Sequence, residues 1–293
     1  MRILYLGKHG QQNNDDEGAI SHSLTRLGHT VTLFQVEDLA WDRENLNALS
    51  NDYDIALFHK LPVDYARYVC DRWRGVCWFF DPIDKGFDWN DQYAHGIKDY
   101  LYKGFFTDGD FVKSEDRLNI HLLRQGFDAP ESTPRLTVEE QPNECERDLL
   151  FIGTVGHGGY KDRELTLRFL IDKYGSVAHT QYSIFKQNLT EICQNTKIML
   201  AMPPVTDNYW SNRAYLLTGR GAFLLHPYSE QLAKQFKNSI GFYHDKADLE
   251  DKIEYYLERP RLRWNMQTHA QHLTLSQHLY KHRVRDLMEI CNV

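Results

Sequence analysis

At 293 residues, 42% hydrophobic and 26% charged, the chain has ordinary globular usage and enough length for two domains with full cores. It holds no tract of about 18 apolar residues, and the opening MRILYLGKHG is too short in apolar character for a secretory signal, so a cytoplasmic protein with no membrane span is expected. The formal charge of −7 is uneven: residues 1–145 hold 15 Lys and Arg against 25 Asp and Glu, residues 146–293 hold 19 against 16, which disfavours a polyanion on the first half and suits a small anion on the second.

RILYLG (2–7) reads as a buried strand, and EGAISHSLTRLG (17–28) as a helix stopped by glycine. TVTLFQV (30–36) is strand-like. DIALFHK (54–60) and GVCWFFD (75–81) are buried strands flanking a helix in VDYARYVCDRWR (63–74). YKGFFTDG (102–109) is another strand, and a helix is expected around SEDRLNIHLLRQG (114–126). The stretch DAPESTPRLTVEEQPNECER (128–147) then reads as a linker. Beyond it the pattern restarts. DLLFIGTVG (148–156) is a strand running into a glycine loop, KDRELTLRFLIDKYG (161–175) a helix, TKIMLAM (196–202) a strand, SNRAYLLTG (211–219) a helix and AFLLHP (222–227) a strand. GFYHD (241–245) is short and extended, ADLEDKIEYYLERP (247–260) is a helix, and LRWNMQTHAQHLTL (262–275) and SQHLYKHRVRDLMEI (276–290) are the final helices.

Near-continuous apolar strands separated by helices argue for parallel sheets covered on both faces. The fold class is therefore α/β, with two Rossmann-like domains facing across a cleft and the final helices packing back over the junction. The expected division is a first domain over 1–130, a linker over 131–147, a second domain over 148–265, and closing helices over 266–293.

Two features of the second half could hold an anion. In YWSNRAYLLTGRGAFLLHP (209–227), Ser211 is a plausible N-cap, Arg213 lies in the first helical turn, and Gly219 and Gly221 flank the helix end. A cation at the positive end of a helix is unfavourable by a few tenths to about 1 kcal/mol, a cost that makes sense if an anion lies between them. The alternative is a pair between Arg213 and a carboxylate such as Asp207. In IGTVGHGGYKDR (152–163), Gly153, Gly156, Gly158 and Gly159 lead to Lys161 and Arg163, and glycines there let backbone N–H groups approach a phosphate. The loop is neither a Walker A sequence nor a GxGxxG fingerprint. Cys70, Cys77, Cys145, Cys193 and Cys291 are odd in number, widely spaced and without a CxxC pair, which fits reduced thiols used in packing.

The second half resembles the CgeB-like (spore-maturation-protein type) glycosyltransferases of the GT-B group. The matching residues are Ser211, Arg213 and Tyr215 at the helix start, Gly221, Ala222 and Leu225 in the next strand, and His278, Tyr280 and Arg283 near the end, with DLLFIGT…DREL similar to the family's donor-domain opening. The resemblance implies a nucleotide-diphosphate sugar as donor, UDP-linked, with no cofactor and no metal. It implies the diphosphate on Gly153, Thr154, Lys161, Arg163, Ser211, Asn212 and Arg213, and the nucleotide and ribose near Asp207 and Tyr215. It also implies an acceptor held mostly by the first domain: a small molecule, a glycan or a protein in preference to DNA. The family's ribose-binding glutamate is here Leu216.

Positive groups stabilise the departing diphosphate, and an inverting enzyme also needs a base. His9, Asp16 and Asp81 are the catalytic candidates, beside Glu17 and His59, all at expected strand ends. Asp108-Gly109-Asp110 looks like a metal-binding DxD but reads as a turn, and His269, His272, His278 and His282 lack a partner carboxylate or thiol at zinc spacing. Trp89 and Trp210 are expected at a surface or cleft, where an aromatic can stack on a sugar or base. Two other readings stay open: transfer to a hydroxymethylated DNA base, as in phage enzymes the chain also resembles, and a two-domain binding protein without chemistry.

Overall fold

The structure is a computed structural model that describes residues 1–9, 16–36, 43–83, 88–129, 133–138, 145–153, 161–174, 177–180, 187–203 and 208–291. The chain divides into two compact units, one made of Met1–Gln125 with Tyr280–Val293 and the other of Gly126–Leu279.

In the first unit, β1 (Arg2–Gly7), β2 (Thr30–Gln35), β3 (Ile55–Phe58), β4 (Gly75–Phe79), β5 (Lys103–Phe106) and β6 (Ile120–Leu122) form a parallel sheet in the order β2-β1-β3-β4-β5-β6. Strands β3 and β4 are buried at every residue, which is why their sequences are apolar without alternation, whereas the edge strand β2 is partly exposed throughout. Helices α1 (Asp16–Arg26), α2 (Arg43–Asn47), α3 (Val63–Arg72), α4 (Asp88–Ile97) and α5 (Gly109–Glu115) join the strands.

The helix expected around 114–126 is a misreading. Asp108 starts α5 early by accepting the N–H groups of Asp110 and Phe111, and the left-handed Asp116, at φ 45°, stops it. The chain then extends into β6 beside β5. Leu118 and Leu122, which helical spacing would bury together, are 94% and 47% exposed, while Ile120 and Leu123 face inward. Asp108 also accepts the Ile83 N–H at 2.9 Å, so the Asp108-Gly109-Asp110 stretch is a helix cap.

The second unit repeats the arrangement. Strands β7 (Arg147–Ile152), β8 (Val177–Thr180), β9 (Thr196–Leu200), β10 (Leu224–Pro227) and β11 (Gly241–Tyr243) pair in parallel in the order β11-β10-β9-β7-β8. The helices are α6 (Lys161–Tyr174), α7 (Gln187–Gln194), α8 (Arg213–Gly219), α9 (Glu230–Gln235), α10 (Lys246–Leu257) and α11 (Pro260–Gln277). Alternate strand residues feed two cores. Leu150, Met199 and Leu224 meet Ala214 and Leu217 of α8, while Leu149, Phe151 and Leu200 meet Leu167 and Leu170 of α6. Gly221, at φ 81°, turns the chain from α8 into β10, a conformation that favours glycine.

Residues 133–138, inside the expected linker, run along α11. Gln271 accepts the Leu136 N–H at 2.8 Å and donates to the Pro134 carbonyl at 2.9 Å, and Trp264 donates to the Thr137 carbonyl. The last helix, α12 (Tyr280–Ile290), belongs to the first unit, where Tyr280, Val284, Leu287 and Met288 close the core built on Ile3, Tyr5, Ile20 and Leu24. No helix among the described residues is long and apolar enough to cross a membrane.

Candidate active site

Parallel strands end on the same side, so residues just past them collect along one edge of the sheet. In the second unit that edge carries Gly153 after β7, Met202 after β9, His226 and Pro227 closing β10, and Tyr243 closing β11. Two arginines reach it. Arg163, in the first turn of α6, is buried; its Nε donates to the Met202 carbonyl at 3.1 Å and Nη2 donates to the same oxygen. Arg213 opens α8. The two guanidinium carbons lie 5.2 and 5.8 Å from the ring centroid of Phe151.

A Cβ added to Gly153 would fall 2.6 Å from Arg213 Nη2 and 2.9 Å from Phe151 Cζ. Glycine is therefore what lets the Arg213 guanidinium rest against the end of β7. Ser211 Oγ accepts the Arg213 N–H at 3.2 Å and lies 3.5 Å from its Nη1.

His226 and Tyr243 complete the edge, and the sequence reading missed both. The signal available was their position at the ends of AFLLHP and GFY. His226 Nδ1 lies 2.7 Å from the Pro227 carbonyl and must donate to it, which leaves Nε2 as an acceptor. Burial lowers its pKa to about 4, the Pro227 bond opposes that, and the Arg213 charge reinforces it, so the ring is neutral near pH 7. Tyr243 donates to the Ala201 carbonyl at 3.1 Å, and burial pushes its pKa up against the pull of Arg163.

Several expectations need correction here. Asn212 holds the boundary position of α8, in helical conformation and with no side-chain cap bond, so Ser211 lies one residue further out and caps through its hydroxyl, which accepts the Arg213 N–H. At seven residues α8 has little macrodipole, so positive charge at this edge comes from the guanidinium itself. Tyr215 is core. It is 1% exposed, its hydroxyl donates to Gln235 Oε1 at 2.8 Å and accepts from Trp210 Nε1 at 3.1 Å, and its ring packs on Phe236 and His278. Trp210 is buried in the same cluster, and Leu216 packs against it. Thr154 and Asp207 lie outside the described residues, as does the side chain of Lys161, whose backbone opens α6.

In the first unit, His9 follows β1 and Glu17 sits in the first turn of α1; both pack over Gly7. His9 Nε2 lies 2.9 Å from the Tyr5 carbonyl, and Nδ1 is buried without a hydrogen-bond partner among the described residues. His59 is buried, its Nδ1 donating to the Trp78 carbonyl at 2.7 Å and its Nε2 accepting from the Tyr5 hydroxyl at 2.6 Å. Burial lowers its pKa, partly offset by Glu17. Asp16 opens α1, where a carboxylate suits the helix end. Asp81 is ion-paired with Lys60. Of the four discounted histidines, His269 bonds Ser239 Oγ at 2.8 Å and His278 packs between Tyr215 and Phe236.

Residues 138–289 match the family described as glycosyl transferase-like, which takes in all the elements from β7 to α11 and nearly all of α12. No curated protein matches the chain. Among solved structures it is similar to an α-glucosyltransferase in complex with UDP and a 13-mer DNA containing a central A:G mismatch, at 13% identity over 100% of each chain, with a TM-score of 0.69. A T4 phage BGT mutant in complex with UDP-glucose matches at 12% identity over 100% of each chain, with a TM-score of 0.65. The sucrose-phosphate synthase of Thermosynechococcus elongatus matches at 8% identity, over 100% of this chain and 98% of that one, with a TM-score of 0.68. At these identities the likeness is one of fold, and that fold is GT-B. The match over more than half of the chain settles its membership: the chain belongs to the glycosyl transferase-like family, and is a glycosyltransferase of GT-B architecture.

Proposed function

We propose that the chain transfers a sugar from a nucleotide-diphosphate donor, UDP-linked, to a hydroxyl acceptor, and that the edge holding Gly153, Arg163 and Arg213 takes the diphosphate. The observation that carries this reading is the seat of Arg213: a guanidinium laid over a glycine at a strand end, on the same aromatic ring as the Arg163 guanidinium. As the glycosidic bond breaks, negative charge grows on the leaving nucleotide. Cations already held in place stabilise that charge without reorganising, and losing one such group costs about 2.7–4 kcal/mol of barrier in comparable sites. Thr154, Lys161, Ser211 and Asn212 are assigned to the same diphosphate, and Asp207 to the ribose in the place of the glutamate that Leu216 replaces. Neutral His226, with Nε2 as acceptor, receives a hydroxyl of the donor sugar.

For the acceptor proton we assign His9 in preference to Asp16 and Asp81. Its Nε2–H is spent on the Tyr5 carbonyl, so Nδ1 keeps a lone pair, whereas Asp81 is tied to Lys60. Within the family, Ser211, Arg213, Gly221 and Arg283 support a place among CgeB-like enzymes, and five free thiols support a reducing, cytoplasmic setting. UDP is favoured because two similar structures contain UDP or UDP-glucose.

The test is a thermal shift of wild type and Arg213→Ala with UDP, GDP, ADP and dTDP. A ligand at 100 times its dissociation constant adds about 2.7 kcal/mol. Stabilisation of wild type by UDP, lost in the variant, is the expected result. No response to any nucleotide at millimolar concentration would overturn the donor assignment.

A further inference from the structure

An exposed indole in the first unit has no role in the donor chemistry. Trp89, in the first turn of α4, is 52% exposed, while Trp73, Trp78, Trp210 and Trp264 are at most 5% exposed. Its ring lies 5.1 Å from that of Tyr93 and 7° from parallel to it, and Tyr93 lies 5.3 Å from Phe79. The three rings form a column from the core to the surface. Tyr93 is locked at its centre, its hydroxyl donating to the His59 carbonyl at 2.9 Å and accepting the Leu61 N–H at 3.2 Å. The column therefore holds the outer ring in one orientation before any ligand arrives, and a preordered surface loses little entropy on binding.

Charged groups rim this ring. Lys60, just past β3, has its Nζ 5.2 Å from the indole centroid and pairs with Asp81, just past β4. Asp88 and Asp91 add acid in the same turn of α4. Lys60 and Asp81 follow adjacent strands, at the end of the sheet where open α/β folds take ligands. A carboxylate keeps lone pairs after binding one ammonium, so Asp81 can hold Lys60 and still accept a hydroxyl.

We propose that Trp89, with Lys60 and Asp81, is a subsite for the acceptor, and that the acceptor it takes is a neutral pyranose ring. This rests on the proposed transferase activity. The C–H face of a pyranose covers an indole, and its equatorial hydroxyls meet a carboxylate and an ammonium at the rim. A polyanion fits the same place badly: the Lys60 charge beside the ring is already paired with Asp81, and this half of the chain has 15 basic and 25 acidic residues.

The test is tryptophan emission of the full chain titrated with maltose, cellobiose and N-acetylglucosamine, and separately with a short DNA duplex. The expected result is a saturable change with at least one sugar, absent in Trp89→Ala. With UDP-glucose as donor and the responding sugar as acceptor, Trp89→Ala should raise the acceptor KM about tenfold, and Trp89→Phe should restore most of the loss. Melting curves of both variants report that they fold. If no sugar perturbs the emission while UDP still stabilises the protein, the subsite is wrong and the donor reading stands. Salt-sensitive quenching by the duplex, with none by the sugars, also overturns the proposal.

Discussion

A hydrogen in place of a side chain at position 153 decides where the Arg213 guanidinium lies. Gly153→Ala should push that group off the strand end, since the new Cβ would sit 2.6 Å from Nη2. The expected loss in UDP affinity is about tenfold, read by calorimetry. In a double-mutant cycle the loss should largely vanish on an Arg213→Ala background, because both changes remove one contact. His226 carries a second residue-scale prediction. The folded ring protonates only near about pH 4, against the ordinary 6.5 of an unfolded chain. Between those values the unfolded state binds more protons, so stability is full above the unfolded value and falls as pH drops towards the folded one, by about 3 kcal/mol in all. His226→Gln should flatten this limb: urea unfolding of the variant should lose less stability on acidification than wild type. Parallel curves for the two proteins would refute it.

At the scale of elements, α12 closes the first unit although it comes last in the chain. Leu287 is 1% exposed in the core with Ile3 and Tyr5, and Leu287→Ala should cost about 2–5 kcal/mol, measured by denaturant unfolding. Elements of this kind also show how far a sequence can be read. Most strands of both sheets were legible, because a strand buried on two faces has to be apolar throughout, as IALF and GVCWF are; β6 and the polar β8, VAHT, were not. The run 114–126 misled because Leu118 and Leu122 have helical spacing, and only the cap made by Asp108 and the pairing of β6 with β5 decide against it. Within the proposed donor edge, Gly153 and Arg213 were legible from a glycine after a strand and an arginine at a helix start. Tyr215 and Trp210 were not, since an aromatic beside a polar run looks the same whether it faces a ligand or a core. His226 and Tyr243 escaped because no motif or spacing marks them, only their place at the ends of two strands.

Over the whole molecule, the two units differ in continuity, and this has an experimental consequence. Gly126–Leu279 is one unbroken segment containing Gly153, Arg163, Arg213, His226 and Tyr243, with a sheet and two cores of its own. Met1–Gln125 lacks the segment from Tyr280 onward that completes its unit. Burying Tyr280, Val284, Leu287 and Met288 stabilises that unit by roughly 1.5–3 kcal/mol each, or roughly 6–12 kcal/mol together. A domain's entire net stability is about 5–15 kcal/mol, so a fragment without α12 has little or none left. Expressed alone, residues 126–279 should give a cooperative melt that UDP shifts upward as in the full chain. Residues 1–125 alone should remain unfolded by circular dichroism and bind a hydrophobic dye on the face that Ile3, Tyr5, Ile20 and Leu24 leave uncovered. A cooperative melt from residues 1–125 would show that burial under α12 is not needed for folding of the first sheet. A folded 126–279 fragment indifferent to UDP would move the donor site out of that segment, whatever the first fragment did.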